Sequence, residues 1–364
     1  MALSCGIVGL PNVGKSTIFN ALTRSAQALA ANYPFATIEP NIGEVPVPDE
    51  RLTVLQRLLD SERVVPATVR FVDIAGLVRG ASSGQGLGNA FLSHIREVDA
   101  IAMVVRCFED DNVTHVEGGP DAARDIEIVG IEMALADLAT LRKRLEKIER
   151  EARANPKLRP KVEAAKNLIA GLEQNVPART FALGTAEAEV AAESFLLTAK
   201  PLLYVANIDE AQIGHPGPLV RRVGDIASAE GGRMVTICGK VEAELAGLSP
   251  EEAQEFCREI GIDRSGLADL IVAAYDLLGL MTFLTAGEKE ARAWTIARGS
   301  KAPQAAGKIH SDIERGFIRA EIVSYDDYVK YATMDALRTA GRVRSEGKEY
   351  VMREGDVVNF RFSV

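Results

Sequence analysis

The chain has 364 residues, of which 47 % are hydrophobic and 26 % are charged, and its formal net charge is −9. This composition supports folded cores in two or three domains and argues against extensive disorder. The acidic balance argues against a protein that coats nucleic acid over its whole surface, but it leaves room for one basic patch.

The cysteine pattern and the N-terminus predict a cytoplasmic protein. Cys5, Cys107, Cys238 and Cys257 show none of the spacings typical of metal sites, and we interpret them as reduced thiols. The first ten residues lack the basic start and the longer apolar run of a signal peptide. No stretch is long and apolar enough to predict a transmembrane helix, so we expect no membrane partner.

The chain opens with a predicted strand, a glycine-rich turn and a predicted helix. Residues 3–8 are an apolar run typical of a buried strand, and residues 15–24 have a helical pattern. Between them, Gly9–Ser16 matches G-x-x-x-x-G-K-[ST] at every fixed position. In such phosphate loops, backbone N–H groups point at phosphate oxygens, the lysine reaches the β- and γ-phosphates, and the hydroxyl binds Mg²⁺. We assign the last two roles to Lys15 and Ser16.

Two further segments are candidates for the Mg²⁺ and γ-phosphate contacts. Asp73-Ile74-Ala75-Gly76 ends the predicted strand 69–73, so Asp73 can bind the ion through a water and the N–H of Gly76 can contact the γ-phosphate. Thr37 lies between the phosphate loop and this strand, where GTPase-like proteins place a Mg²⁺-binding threonine. We interpret the glycine-rich residues 79–88 as a switch that the γ-phosphate orders.

A long amphipathic helix interrupts the α/β pattern after residue 125. Apolar residues between 128 and 148 recur every three or four positions, and a second helical pattern follows a turn at Asn155-Pro156. We expect the two helices to pair as an antiparallel arm inserted into the α/β domain. The tip of the arm is either a solvated helix end or a contact for RNA or an acidic partner. Its basic residues are Arg150, Arg153, Lys157, Arg159 and Lys161.

The segment Asn207–Glu210 follows the predicted strand 201–206, where guanine-specific domains have Asn-Lys-x-Asp. There the aspartate accepts two hydrogen bonds from guanine. In this chain Ile208 replaces the lysine and Glu210 stands in place of the aspartate, and the longer side chain should not reproduce the contact. Adenine has no matching pair of donors, so the change favours ATP over GTP.

Short strands dominate the sequence pattern from residue 280 onward. Residues 281–285, 294–296, 318–323 and 356–362 are predicted strands and residues 308–316 are a predicted helix, which together suggest a small β-grasp module. With the earlier strands at 100–106 and 233–237, the chain is predicted to be an α/β protein with a mainly parallel sheet. The predicted division is 1–125 with 200–278 for nucleotide binding, 126–199 for the arm, and 279–364 for the C-terminal module.

These segments together resemble the YchF subfamily of Obg-related P-loop proteins. The resemblance covers nearly the whole chain and implies a G domain, an inserted helical arm and a ubiquitin-like TGS domain. It also implies an ATPase with altered base specificity that associates with ribosomes. The segments that carry it are Gly9–Ser16, Tyr33–Asn41, Val72–Gly88, Asn207–Glu210, Ile237–Leu245 and, in the TGS module, Gly307–Glu321.

The hydrolysis step is expected to be slow. Leu77 stands where many GTPases have a glutamine that orients the attacking water, and its side chain cannot form a hydrogen bond. The resemblance points to His115 as the residue that positions the water instead. Asn12 either helps to bind a monovalent cation such as K⁺ or simply caps the phosphate loop.

Residues and resemblance together predict a monomeric ribosome-associated ATPase that acts as a switch, with the large ribosomal subunit as its partner and RNA contacts through the arm tip and the TGS domain. The alternatives are a GTPase, or an RNA or ribosome adaptor whose hydrolysis is incidental. The candidate catalytic residues are His115 and Lys15, and the candidate Mg²⁺ ligands are Ser16, Thr37 and Asp73. The candidate nucleotide-binding residues are Asn12, Val13, Gly14, Lys15, Ser16, Thr17, Gly76, Asn207, Ile208, Glu210 and Cys238.

Overall fold

The computed structural model describes residues 3–30, 38–39, 41–74, 76, 87–110, 112–114, 118–182, 184–262 and 264–363. The chain divides into two compact units. The larger unit contains the N-terminal residues up to Leu29 and Arg70–Ala274, and the smaller unit contains Glu44–Val69 and the residues from Tyr275 onward. Within the described ranges, no helix is long and apolar enough to cross a membrane.

The strands form two sheets. One has seven strands in the order β2-β3-β5-β1-β6-β7-β8, and the other has six in the order β12-β11-β13-β9-β10-β4. The strands are β1 (Ser4–Val8), β2 (Ile38–Glu39), β3 (Ile42–Pro46), β4 (Val64–Val65), β5 (Thr68–Asp73), β6 (Ala100–Arg106), β7 (Leu202–Asn207), β8 (Arg233–Ile237), β9 (Leu280–Ala286), β10 (Ala291–Ala297), β11 (Phe317–Ser324), β12 (Arg344–Glu346) and β13 (Asp356–Phe362).

The helices lie mostly between successive strands. They are α1 (Lys15–Ala30), α2 (Glu50–Leu59), α3 (Leu87–Glu97), α4 (Ala122–Ala154), α5 (Arg159–Glu173), α6 (Ala186–Glu193), α7 (Pro218–Ala229), α8 (Gly239–Leu245), α9 (Pro250–Glu259), α10 (Gly266–Leu277), α11 (Ala302–Ile309), α12 (Ser311–Arg315), α13 (Tyr325–Tyr331) and α14 (Met334–Thr339).

Five adjacent strands, β5-β1-β6-β7-β8, run parallel. The strands β1, β6 and β7 are buried along their whole length, as expected for central strands whose two faces are covered by helices. The predicted α/β fold class with a mainly parallel sheet is confirmed. Because parallel strands end at the same edge, the loops after β1, β6, β7 and β8 gather there, which is where α/β sheets bind ligands.

The predicted helical arm consists of α4 and α5, which pack against each other. Their shared core includes Leu141, Ala165 and Leu168. The helix α4 begins at Ala122, where the side chain of Asp121 caps it by accepting a hydrogen bond from the N–H of Arg124. The predicted boundary at residue 126 therefore falls inside one continuous helix, whose first turns pack on β6 and α7.

The smaller unit contains a mixed sheet with a core on α11, which includes Ala305, Phe317 and Phe360. The single predicted helix 308–316 is wrong in its bounds, because His310 is extended, with φ of −162°, and separates α11 from α12. Residues 44–69 lie in this unit, where β4 pairs with β10, although the sequence division placed them with the nucleotide-binding residues. The three-part division and the TGS assignment stay predictions.

Candidate functional site

The phosphate loop joins β1 to α1, and Gly9, Asn12 and Gly14 in it have positive φ. Asn12 has φ of 62° and Gly14 has φ of 99°. Asparagine tolerates this left-handed region better than most residues, and glycine adopts it without steric cost. A side chain at position 14 would also collide with the amide of Asn207. The loop therefore needs glycine at position 14 for both its backbone conformation and its space.

Lys15 points back across the loop. Its ammonium group donates a hydrogen bond to the carbonyl oxygen of Leu10 at 2.7 Å, and the residue is only 7 % exposed. Burial lowers the pKa of Lys15 to about 8, against the opposite effect of the Asp73 carboxylate. A buried ammonium group favours an anionic partner, because desolvation makes its charge costly without one. A phosphate group in the loop would supply that partner.

Ser16 and Asp73 offer oxygen ligands that fit Mg²⁺. The Ser16 hydroxyl lies 3.4 Å from Oδ2 of Asp73, and Oδ1 of Asp73 is buried without a hydrogen-bond partner. Burial raises the pKa of Asp73, while the Lys15 ammonium and the Ser16 hydroxyl act against this rise. Hydroxyl and carboxylate oxygens are the ligands that Mg²⁺ prefers, and an unpartnered buried carboxylate oxygen needs a partner. The donor set therefore fits the predicted ion.

Gly76 lies close to the phosphate loop. A Cβ at this position would stand 3.0 Å from Nζ of Lys15 and 3.3 Å from Cα of Pro11. Only glycine can bring its backbone this near without displacing the lysine. This close approach suits the predicted contact between the Gly76 N–H and a γ-phosphate.

The side-chain amide of Asn207 forms its hydrogen bonds with the protein backbone and does not point into the cavity as a free group. Its side-chain amide donates to the carbonyl oxygen of Val13 at 2.9 Å, and its amide oxygen accepts from the N–H of Gly239 at 3.0 Å. The residue is 4 % exposed. Asn207 thus fastens the phosphate loop to the turn that begins α8, a positioning role that the sequence analysis did not foresee.

The two carboxylates after β7 are both engaged. Asp209 accepts from the backbone N–H and the side-chain amide of Gln212, each at 3.1 Å. Glu210 forms an ion pair with Lys240, in which Nζ and Oε1 are 2.8 Å apart. The side chain of Ile208 is buried beside them, at 6 % exposure.

A cavity of about 870 Å³ brings these elements together. Its walls come from the phosphate loop with the start of α1, and from the loops after β6, β7 and β8. The lining residues are Asn12, Gly14, Lys15, Ser16, Thr17, Phe108, Glu109, Asp110, Val113, Asn207, Ile208, Asp209, Glu210, Ala211, Cys238, Gly239, Lys240, Ala243 and Glu244. Of the candidate nucleotide-binding residues, Val13 and Gly76 do not line it. Cys238 does, and burial raises the pKa of its thiol.

Sequence reasoning missed one wall of this cavity. The residues Phe108, Glu109, Asp110 and Val113 follow β6 and carry no recognised motif. Their position after a central parallel strand could have identified them as site residues, because ligands of α/β sheets bind at the carboxyl ends of such strands. Two predicted site residues, Thr37 and His115, lie outside the described residues, as do Leu77 and most of the glycine-rich segment 79–88.

The basic tip of the arm is only partly free. Arg153, Lys157 and Arg159 are exposed. Lys161 forms an ion pair with Glu193 at 2.5 Å, and Arg150 donates to the carbonyl oxygen of Glu146 in its own helix. The exposed positive charge that a partner could meet therefore lies on Arg150, Arg153, Lys157 and Arg159.

Comparisons with known proteins agree with this geometry. Residues 4–128 match the family model described as 50S ribosome-binding GTPase. Residues 280–363 match the C-terminal model of YchF GTPases, which is described as a protein of unknown function (DUF933).

Several known proteins are similar to this chain along its whole length. The chain is 50 % identical to the ribosome-binding ATPase YchF of Bacillus subtilis (strain 168) and 48 % identical to that of Escherichia coli O157:H7, with 100 % of each chain covered. The structure of the Schizosaccharomyces pombe YchF GTPase superimposes with a TM-score of 0.89 at 40 % identity, over 99 % of this chain and 97 % of that one. The chain belongs to the YchF family of P-loop nucleotide-binding proteins.

Proposed function

We propose that this protein is a Mg²⁺-dependent ATPase that acts as a nucleotide-dependent switch on the ribosome. The preference for ATP is supported by one observation: both carboxylates after β7 already have partners within the protein. Asp209 accepts two hydrogen bonds from Gln212, and Glu210 is paired with Lys240. Neither carboxylate is held ready for the two N–H donors of guanine, whereas adenine does not require such an acceptor pair.

The names of the relatives support the enzyme class but differ on the nucleotide. The Bacillus subtilis protein is called a ribosome-binding ATPase, and the Schizosaccharomyces pombe protein is called a GTPase. We therefore base the preference for ATP on the residues of this chain. The replacement of lysine by Ile208 and of aspartate by Glu210 points the same way.

Hydrolysis in this proposal depends on charge neutralisation and positioning. Lys15 and the N–H groups of the phosphate loop would bind the β- and γ-phosphates. Ser16, Thr37 and Asp73 would hold Mg²⁺, which when bound neutralises the charge of the triphosphate. His115 would position the attacking water, because Leu77 stands where many GTPases have a glutamine and cannot form a hydrogen bond.

A monovalent cation such as K⁺ is a further proposed cofactor. The side-chain nitrogen of Asn12 donates to the carbonyl oxygen of Thr114 at 3.1 Å. The amide oxygen of Asn12 is thus the atom that would ligate the cation. Hydrolysis rates in K⁺ and Na⁺ buffers of equal ionic strength test this role, and equal rates would contradict it.

The first experiment compares dissociation constants for fluorescent ATP and GTP analogues with Mg²⁺ present. We expect tighter binding of ATP. The double variant Ile208→Lys/Glu210→Asp restores Asn-Lys-x-Asp and should shift the preference toward GTP by roughly tenfold or more, since hydrogen bonds to charged groups are strong. Glu244→Asp, on another wall of the cavity, is the matched control. Equal or tighter binding of GTP by the unmodified chain would favour the alternative that the protein is a GTPase.

The ribosome is the proposed partner, and the arm tip is the proposed RNA contact. Reversing the charges of Arg153, Lys157 and Arg159 should weaken ribosome binding and make its salt dependence shallower, because fewer counterions are released. Reversing Arg221 and Arg222, which are exposed on α7, controls for net charge. Strong stimulation of turnover by ribosomes is expected of a switch, and no stimulation would indicate an adaptor.

We further propose that the protein works as a monomer in the cytoplasm. The apolar faces of α4 and α5 are buried against each other, with Leu141, Ala165 and Leu168 fully covered. This pairing covers most of the apolar seam that would otherwise favour a coiled-coil dimer, although Ile131 and Leu135 on α4 stay exposed. Light scattering across a range of protein concentrations measures the oligomeric state, and a concentration-dependent dimer would contradict the proposal.

A further inference from the structure

The loop between β6 and α4 forms one wall of the nucleotide cavity, through Phe108, Asp110 and Val113. We propose that Arg106 is a positioning residue for nucleotide binding: its buried guanidinium, together with the side-chain amide of Asn12, holds residues 108–110 and 112–114 in the shape of that wall. The inference rests on the proposed function, because this wall belongs to the cavity in which ATP is proposed to bind.

Arg106 is the last residue of β6 and one of the largest fully buried side chains, at 2 % exposure. Its guanidinium donates three hydrogen bonds to backbone carbonyl oxygens of the loop. The acceptors are Phe108 at 3.1 Å, Val113 at 2.8 Å and Asp110 at 3.2 Å. The same group lies over the Phe108 ring, 4.5 Å from its centroid. One side chain thus binds carbonyl groups at Phe108, Asp110 and Val113 in the first half of the loop.

The chemistry of the group explains why arginine stands here. Three acceptors that point inward from different parts of a loop need a planar group with donors on several sides, which only guanidinium provides. A lysine ammonium is a point charge and cannot reach all three carbonyl groups with the same geometry. The cost of burying the charge is offset only while the loop keeps its carbonyl groups turned toward it. Loop shape and arginine burial therefore depend on each other.

The far end of the loop is fastened to the phosphate loop. The side-chain amide of Asn12 donates to the carbonyl oxygen of Thr114 at 3.1 Å. The Asp110 carboxylate also accepts a hydrogen bond from the N–H of Asn112 at 2.9 Å. Arg106 supports the loop from the protein interior, and Asn12 links it to the residues that bind phosphate.

The test compares the full-length protein with Arg106→Lys. Hydrogen–deuterium exchange of peptides covering 107–114 should increase, because the carbonyl groups lose their common donor. The dissociation constant for the fluorescent ATP analogue should rise by about tenfold, the order expected when a few hydrogen bonds that preorganise a site are lost. Unchanged exchange in the loop with unchanged ATP affinity would overturn the proposal.

Arg179→Lys is the matched control. Arg179 is also largely buried, at 17 % side-chain exposure, and bonds Glu230 and the carbonyl oxygen of Thr198, but it does not line the nucleotide cavity. Both variants should lower the melting temperature, whereas only Arg106→Lys should change loop exchange and ATP affinity. Equal effects of the two variants on ATP affinity would mean that Arg106 contributes general stability alone, which also overturns the proposal.

Asn12→Gly provides the second variant, and it serves as the test if Arg106→Lys does not fold. Glycine keeps the positive φ of this position, so the variant removes an exposed hydrogen bond without straining the phosphate loop or changing a buried charge. It should increase exchange at 112–114. Where both single variants fold, their effects on ATP binding should be less than additive in the double variant, because they act on one loop. Additive effects, or unchanged exchange in Asn12→Gly, would contradict the shared role. If the unmodified protein binds neither nucleotide, the proposed function fails, while exchange still tests the loop.

Discussion

At the phosphate end of the nucleotide cavity Lys15 and one carboxylate oxygen of Asp73 are buried, whereas at the base end Glu210 and Lys240 are exposed. Lys15 is 7 % exposed, and Asp73 has a buried carboxylate oxygen without a partner. The side chains of Glu210 and Lys240 are 53 % and 74 % exposed and satisfy each other across 2.8 Å. The first pair gains from a ligand, while the second is already neutralised in its absence.

This difference follows from what each end must bind. The triphosphate carries the same charge in every nucleotide, so its binding residues need the same ammonium, hydroxyl and carboxylate groups. The base differs between nucleotides, and exposed ion pairs contribute little to stability. The base end can therefore change its residues at low cost, whereas a change at the phosphate end removes a group that every nucleotide needs. Substitutions at the two ends should differ accordingly.

The largest effect is expected from Lys15→Met. Loss of the buried ammonium removes the charge that is proposed to bind the β- and γ-phosphates, and the turnover number for ATP should fall by about 10²- to 10³-fold. Lys240→Met removes a lysine from the same cavity at its exposed end and should change turnover far less. Steady-state hydrolysis of both variants measures the contrast. Similar losses in the two would break the distinction between the ends.

Asp73→Asn should have the next largest effect. The carboxylate is proposed to hold Mg²⁺ through a water, and losing such a group should raise the Mg²⁺ concentration needed for half-maximal hydrolysis by about 10- to 100-fold. The melting temperature without nucleotide should not fall, because burial raises the pKa of Asp73 and makes its charge unfavourable there. Asp225→Asn, at an exposed position of α7, is the control. An unchanged Mg²⁺ requirement would remove Asp73 from the site.

A change of pH should alter the phosphate end through Lys15. Its pKa is lowered to about 8, so in the free protein the ammonium is charged below pH 8 and becomes neutral above it. Nucleotide binding needs the charged form and must take up a proton above this pH. The dissociation constant for ATP should therefore rise above pH 8, by up to about tenfold per pH unit.

The groups at the base end do not share this behaviour. The pKa values of Cys238 and Lys240 are both raised from their ordinary values. Lys15→Arg keeps a permanent charge and should give a flat profile over the same range, whatever its affinity. Fluorescence titrations at several pH values measure both profiles. Parallel profiles for the two proteins would show that another group is responsible.

The phosphate end was predictable from sequence because its constraints are local. Gly14 is required by its backbone conformation and by its distance to Asn207, and Lys15 and Ser16 follow it directly in the chain. Asp73 was found because it ends an apolar strand. These residues share a short motif or a strand end, so the sequence pattern alone brings them together.

The rest depends on contacts between residues far apart in the chain. Asn207 bonds the carbonyl oxygen of Val13, and Arg106 bonds backbone carbonyl groups, which leave no trace in residue type. The pair of Glu210 and Lys240 joins two loops that follow neighbouring strands. The membership of residues 44–69 in the smaller unit also rests on pairing with β10, far along the chain. Sequence periodicity identifies strands but not such partners.

The smallest effect is expected from the base-end ion pair itself. Glu210→Gln and Lys240→Met should each change the dissociation constant for ATP by no more than about two- to fivefold, because solvent screens a pair this exposed. The double variant should bind ATP about as well as either single variant, since removing one partner already removes the attraction.

Titrations at low and high salt would sharpen this last contrast. Salt should weaken the effect of either base-end substitution, because salt screens solvent-exposed charges, while the buried ammonium of Lys15 is screened much less. A loss of ATP affinity in Glu210→Gln as large as that in Lys15→Met would mean that Glu210 contacts the nucleotide directly. The base end would then be a site of fixed chemistry like the phosphate end, and the pairing with Lys240 would be broken when ATP binds.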